Sequence, residues 1–381
     1  MIPRDSMYDT PEIGSRAAVL IDAATGTLLY YKNPDEEIPP ASLTKLVVMH
    51  LALEEVKAGR ASLDAVIVPP PESWVINQPP GSSLMFLGED QRTNLRDLLL
   101  GLAVPSGNDA AVAVALQFAP TVDEFVARMN QVAQSLGLTR THFVEPSGIS
   151  EFNMTTAREF ALFSRFYLRN HPETLQDYHS VPVFAYPRVE NVAEALRRRP
   201  GTIVQNNSNT LLGTFDGVDG IKTGYIDESG YNIALTAQRG ETRFIAVILG
   251  APLRGGIQIR EEDGRKLLTW AFDNFKTVRP EPPDLEKARI WKGKVDYVGL
   301  SPDEVLDFTS RSYRAETLYY KTEIFDTLIA PLPIGSFVGN LIIYDDEGEL
   351  HRVPLVTNEE IPAGGFFKRL FDSIRLFFRK K

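Results

Sequence analysis

The sequence contains no cysteine. That excludes disulfides, thiol catalysis, thiolate zinc sites and iron–sulfur clusters, but it leaves the compartment open, because a cysteine-free chain suits an oxidising space as well as a reducing one. Histidine is scarce: His50, His142, His171, His179 and His351 are the five, and no two stand at the spacing of an HExxH motif. The spacing therefore predicts no histidine metal site. Acid–base chemistry falls to Lys, Asp, Glu, Tyr or Ser. Apolar runs stay short of the ~18–20 residues that span a bilayer, and Met1-Ile2-Pro3-Arg4-Asp5 carries no apolar signal core. Positive charge is in deficit. Forty Lys and Arg against fifty Asp and Glu give a net charge of −10, which argues against nucleic acid as a partner.

What is present is ordinary globular composition, 43% hydrophobic over 381 residues, enough for two or three domains with their own cores. Two short apolar runs at 17–21 and 27–31 flank a turn and predict a β-hairpin. Pro39-Pro40 breaks the chain ahead of a helical pattern over 43–56, and Pro- and Gly-rich loops with short strands follow over 59–92. Helical periodicity returns at Leu95, Leu98, Leu99 and Leu102 behind Asn94 as a cap and continues through 110–116. A helix over 121–136 opens on Thr121 and Glu124 at capping-box spacing. Strands are predicted at 220–225, 231–237 and 242–249, then a helix over 261–275. Strands at both ends with helices between them predict one α+β domain whose terminal blocks share a sheet. Val278-Arg279-Pro280-Glu281-Pro282-Pro283 marks a linker, and short strand-like runs that alternate with turns beyond it predict a small all-β domain with Asp345-Asp346-Glu347-Gly348 as a hairpin loop.

Three short motifs could carry chemistry. Ser42-Leu43-Thr44-Lys45 sits where a helix begins, so Lys45 Nζ can reach Ser42 Oγ from the same face, and the helix N-terminus favours both an alkoxide and a neutral amine. That is a route to an activated serine without histidine, although Ser-x-x-Lys alone arises about once by chance at this length. Ser106-Gly107-Asn108 lies between two helical segments. Locally it reads as a cap, with Asn108 or Asp109 opening the next helix, or as Ser106 relaying a proton and Asn108 holding a substrate amide. Lys222-Thr223-Gly224 falls within a predicted strand, does not satisfy GxxxxGK[ST] and is followed by no helix, which excludes a phosphate-binding loop. It could bind a carboxylate beside Gly224, or be merely a strand lysine.

In this order, the three motifs resemble the Ser-x-x-Lys, Ser-x-Asn and Lys-Thr-Gly set of the penicillin-binding protein and serine β-lactamase superfamily. The surroundings are similar to the low-molecular-mass D-alanyl-D-alanine carboxypeptidases: Gly81-Ser82-Ser83, Pro146-Ser147-Gly148, Asn207-Ser208-Asn209-Thr210-Leu211-Leu212, Gly230-Tyr231-Asn232 and Lys266-Leu267-Leu268-Thr269-Trp270 all match. Tyr225 after Gly224 departs from the common pattern. The resemblance implies an α+β, β-lactamase-like fold over 1–276, an antiparallel sheet flanked by a helical cluster. A linker at 277–283, a small all-β domain at 284–361 and an amphipathic helix at 364–381 would follow. It implies Ser42 as nucleophile, Lys45 as its base and Ser106 as proton relay. Asn108, Lys222, Thr223, Gly224, Tyr225 and Arg260 would bind substrate, with the N–H groups of Ser42 and Tyr225 as oxyanion hole. No cofactor or metal is implied. The expected partners are peptidoglycan pentapeptide and β-lactam antibiotics, at a periplasmic or extracytoplasmic site. A β-lactamase and a catalytically silent wall-binding protein are the alternatives. Locally, Arg260 reads equally as a solvated charge beside Glu261 and Glu262.

The tail has its own pattern. Phe367, Leu370, Phe371, Ile374, Phe377 and Phe378 fall on one helical face, and Lys368, Arg369, Asp372, Arg375 and Arg379 on the other. Residues 364–381 hold six Lys and Arg against one Asp, whereas the rest of the chain is acidic. A core-packing helix is one reading. A cationic aromatic helix behind a Pro-Ala-Gly-Gly turn instead predicts peripheral anchoring to an anionic membrane surface.

Overall fold

A computed structural model describes residues 10–379; the beginning of the expected first domain and Lys380 and Lys381 of the tail lie outside the described residues. Two compact units divide between Phe272 and Asp273. The first runs β1 (Ala17–Asp22), β2 (Leu28–Lys32), α1 (Lys45–Lys57), β3 (Val66–Ile67), β4 (Thr93–Asn94), α2 (Leu95–Ala103), α3 (Asn108–Phe118), α4 (Val122–Ser135) and α5 (Ala157–Asn170). It continues with β5 (Val183–Tyr186), β6 (Ile203–Asn206), β7 (Val218–Ile226), β8 (Gly230–Arg239), β9 (Thr242–Ala251) and α6 (Gly256–Asn274).

The expected sharing of a sheet by the two terminal blocks of the first domain is realised in the antiparallel order β2-β1-β9-β8-β7. β1 and β9 are nearly continuous buried runs because both faces are covered. Val247 and Leu249 join the large core built by the helical cluster, while α6 lies over Leu235 and Ile248 on the other face. α1 is buried on nearly every side, His50 included, so its apolar residues do not fall into one stripe. The caps act as the sequence predicts: Asn94 Oδ1 accepts from Asp97 N at 2.8 Å and Thr121 Oγ1 from Glu124 N at 3.2 Å. The expected cap at the third helix is not formed by Asn108. Gly107 takes that place without a side-chain bond, and Asn108 turns inward.

The second unit contains β10 (Phe275–Val278), β11 (Ala288–Trp291), β12 (Tyr297–Val298), β13 (Leu300–Pro302) and β14 (Phe308–Arg311). Then come β15 (Tyr319–Ile324), β16 (Leu328–Ile329), β17 (Phe337–Asp345), β18 (Gly348–Thr357) and α7 (Phe366–Arg379). Its main sheet is ordered β13-β18-β17-β15 around a separate core that includes Val338, Leu341, Ile343, Val353 and Leu355. The helix expected to reach Phe275 stops at Asn274, and Thr277 and Val278, expected in the linker, pair with Thr309 and Phe308. Alternating burial along Phe275–Val278 explains the difference: four residues suffice for a strand when every second one enters a core.

α7 is amphipathic as expected, but Asp372 is not a solvated member of its polar face. Asp372 is 1% exposed, accepts the Lys292 N–H at 2.7 Å, and pairs with Lys368, which also reaches Asp296. The helix thus docks on the unit's β-structure by its charges. Phe366, Phe367, Leu370, Phe371, Ile374, Phe377 and Phe378 stay exposed, which excludes the core-packing reading. Among the described residues no single helix is long and apolar enough to cross a membrane.

Candidate active site

Ser42 stands in a short 3-10 helix, Ala41–Thr44, that runs directly into α1 at Lys45. Three residues per turn stack positions i and i+3, which is why Lys45 Nζ lies 2.8 Å from Ser42 Oγ. The turn is strained where it matters. Ala41, immediately before the serine, has φ 51°, and in the separate loop between α2 and α3 Ser106 has φ 63°. The chain enters this turn under constraint, because Asn232 Nδ2 donates to Pro39 O at 3.0 Å while its Oδ1 accepts from Gly250 N.

Lys45 is fully buried, and its Nζ has two further neighbours, Asn108 Oδ1 at 2.8 Å and Ser147 O at 2.5 Å. Burial lowers its pKa to about 7, against the opposing pull of Glu145 and Asp109. A neutral amine has two N–H groups and one lone pair. Asn108 Oδ1 and Ser147 O can only accept, so they take the two protons and leave the lone pair facing the Ser42 hydroxyl.

Asn108 begins α3, and its neighbour Asp109 fixes the opposite wall. The buried Asp109 carboxylate accepts from Met85 N, Phe86 N, Leu87 N and Ala110 N at 2.7–3.0 Å. Burial pushes its pKa up while those four N–H groups pull it back. Ser106, two residues before Asn108, is buried, and its Oγ has no hydrogen-bond partner among the described residues.

β7 closes the site. A Cβ on Gly224 would stand 3.0 Å from Ser42 N and 2.9 Å from Pro40 O, so only glycine lets the strand press against the turn. Lys222 and Thr223 are both buried on this strand. Burial, then the charges of Lys45 and Arg260, push Lys222 well below the ordinary ammonium range. The solvated reading of Arg260 is overturned. It lies within α6 rather than ahead of a helix, is 4% exposed, sits 6.0 Å from the Tyr231 ring, and its Nε has no hydrogen-bond partner among the described residues. Tyr225 is 42% exposed at the rim; the register sets it opposite Tyr231, with ring centroids 4.3 Å apart.

The structure therefore gathers Ser42, Lys45 and Asn108 by direct contact, with Gly224 against Ser42 and Lys222 electrostatically coupled to Lys45 and Arg260. Sequence reasoning missed Glu145. Its carboxylate accepts from Ser147 N and Oγ, Gly148 N and Ser150 N, and from Asn153 Nδ2. It thereby holds the carbonyl that orients Lys45. A Cβ on Gly148 would meet Ala41 O at 1.9 Å, so this loop touches the nucleophile turn as well. The usable signal was an acid directly before Pro146-Ser147-Gly148, a turn-forming tripeptide with free N–H groups.

Comparison with known proteins agrees with this geometry. Residues 5–253 match the family described as D-alanyl-D-alanine carboxypeptidase, and 275–363 match the penicillin-binding protein 5 C-terminal domain. D-alanyl-D-alanine carboxypeptidase DacC of Escherichia coli is 32% identical over 99% of this chain and 91% of its own length. DacD of Salmonella typhimurium is 34% identical over 95% and 90%. The structure of penicillin-binding protein 5 from Haemophilus influenzae superposes with a TM-score of 0.82 at 29% identity, covering 92% of this chain and 98% of that one. Penicillin-binding protein 6B from Escherichia coli gives 0.75 at 30% identity, covering 94% and 99%. Penicillin-binding protein D2 from Listeria monocytogenes, solved with cefotaxime bound, gives 0.58 at 28% identity over 68% of this chain and 98% of that one. Two family matches in tandem, relatives along almost the whole length and a Ser-Lys-Asn centre on the matching fold lead to one conclusion: the chain belongs to the D-alanyl-D-alanine carboxypeptidase family.

Proposed function

We propose that this serine-type carboxypeptidase removes the terminal D-alanine from peptidoglycan stem pentapeptides through an acyl-enzyme on Ser42, and that β-lactams acylate the same serine. The observation that carries the reading is the Lys45 amine, buried with a pKa near 7, whose two proton acceptors leave its lone pair to Ser42. Ser42 Oγ attacks the penultimate D-alanine carbonyl carbon as its proton passes to Lys45 Nζ. The N–H groups of Ser42 and Tyr225 hold the oxyanion. Collapse breaks the C–N bond, and the departing amine takes a proton through Ser106, whose unpaired buried hydroxyl suits a relay. Water then hydrolyses the ester and restores Ser42. Lys222, Thr223 and Arg260 supply cation and hydroxyl groups for the substrate's terminal carboxylate, Asn108 meets its amide, and Gly224 admits its backbone.

Stem peptides place this activity outside the cytoplasmic membrane. The exposed aromatic stripe of α7, with the net positive charge of 364–381, supports peripheral attachment to an anionic membrane surface. Incubation with a labelled penicillin tests the reading. A long-lived adduct on Ser42 is expected; fast turnover would make the chain a β-lactamase, and absence of reaction would make it a silent wall-binding protein.

A further inference from the structure

The paucity of histidine motifs along the sequence hides a meeting of two histidines in space. His50 and Glu54 lie one turn apart on the same face of α1, and His171 follows the last residue of α5. His50 Nδ1 and His171 Nε2, 121 positions apart in the chain, are separated by 2.9 Å. His171 Nε2 is 3.4 Å from Glu54 Oε1, and one ligand atom from each of the three residues lies within 4.8 Å of the others.

We propose that His50, His171 and Glu54 bind a divalent cation of the zinc class, tying α1 to the end of α5. Two imidazole nitrogens with one carboxylate oxygen suit Zn²⁺, with solvent as the fourth ligand. A tetrahedral ion with bonds of ~2.0–2.1 Å keeps its ligand atoms about 3.3 Å apart. The His171–Glu54 pair already has that separation, and the two rings need to part by only about 0.4 Å.

Two further observations point to a ligand rather than to a simple ring-to-ring hydrogen bond. Glu54 Oε1 is a buried oxygen without a hydrogen-bond partner among the described residues, a state that costs free energy unless a cation or proton meets it. Nδ1 of His171 faces Glu173 Oε1 at 3.9 Å, the kind of outer carboxylate that orients a ligating imidazole. Phe163 and Phe166 pack edge-on against His50 and restrict its ring, while the 41% exposed Glu54 side chain gives an ion a way in. The competing cation is Lys57, whose Nζ is 4.0 Å from Glu54 Oε1, but its side chain is 59% exposed and can swing into solvent. The site lies further along the helix that begins with Lys45, so a bound ion would stiffen the element carrying the base without touching the chemistry.

The test uses the full chain, stripped with chelator and then titrated with Zn²⁺. One equivalent should bind, raise Tm by several degrees and release with EDTA. Co²⁺ in its place should give visible d–d bands of tetrahedral intensity. Glu54→Gln, at a half-exposed position that tolerates it, and His171→Gln should each weaken Zn²⁺ binding at least ~10-fold, with D-alanine release unchanged. Failure to bind one equivalent overturns the proposal. So does binding whose affinity and Tm shift survive Glu54→Gln, even if His171→Gln fails to fold; the two histidines then form a core hydrogen bond only.

Discussion

The neighbourhood of Ser42 and the terminal helix depart from ordinary burial in opposite directions. Around Ser42 the first unit hides two lysines and an arginine: Lys45 at 0%, Lys222 at 2% and Arg260 at 4% exposure. On α7 the second unit leaves seven large apolar side chains in solvent and buries the one aspartate instead. Each arrangement opposes stability, since buried cations lose hydration and exposed phenylalanines forgo transfer out of water. The two costs have different remedies. A cation without its counter-ion can shed a proton or await an anionic ligand, whereas an apolar stripe can be satisfied only by another apolar phase. Where a fold tolerates either, it marks a surface or cavity built for something outside the chain.

Loss of the nucleophile should have the largest effect. Ser42→Ala should abolish penicillin labelling and lower D-alanine release by at least ~10³-fold, with Tm little changed because Ser42 is only half-buried. Lys45→Ala should be nearly as severe, since residues of one catalytic unit act non-additively. Labelling that survives Ser42→Ala would move the active site elsewhere.

Removal of 364–381 should come next in size: the protein leaves anionic liposomes in a flotation assay, with hydrolysis of small peptides intact. Phe371→Glu should weaken liposome binding more than Ser373→Glu, which adds the same charge off the stripe. The difference expected from burying one phenylalanine is about 1.5–3 kcal/mol. A truncated protein that still floats, or one that unfolds, removes the anchoring role.

A third test concerns the proton on Lys45. Its folded pKa is lowered to about 7, so the base is protonated and inactive below that value and neutral above it. Acylation by penicillin should therefore rise as pH increases through about 7, and a flat profile would reject Lys45 as the base. Glu145 pulls this pKa upward, so Glu145→Gln should move the midpoint to lower pH. It should also slow acylation ~10-fold through misplacement of the Ser147 carbonyl. A slower rate with an unmoved midpoint would leave Glu145 a structural residue only.

The smallest effect is one of selectivity. Arg260→Ala should impair peptides with a free C-terminal carboxylate more than their amides, by about 1.5–3 kcal/mol for a lost charged hydrogen bond. Equal loss on both would remove its carboxylate-binding role.

Local structure here is legible from residues close together in the chain. Ser42 and Lys45 are three residues apart, so backbone helicity alone brings them together, and the caps at Asn94 and Thr121 follow from side chains that reach their own helix ends. The strand-like runs that became β17 and β18, parted by the Asp345–Gly348 turn, and the amphipathic order of α7 are likewise written in neighbouring residues. Long-range contact decided the rest. By local pattern alone Arg260 reads like its charged neighbours, and its burial comes only when α6 packs on the sheet. Asp372 reads as one more polar-face residue until the Lys292 amide, 80 positions away, selects it. Glu145 gains its place only when the loop it holds meets Lys45 across 102 residues, and His50 finds His171 only after α1 and α5 pack together. The physical reason is common to all four. Periodicity encodes which face of an element is apolar, but the partner of a polar group depends on distance in space, which the fold sets after the elements exist.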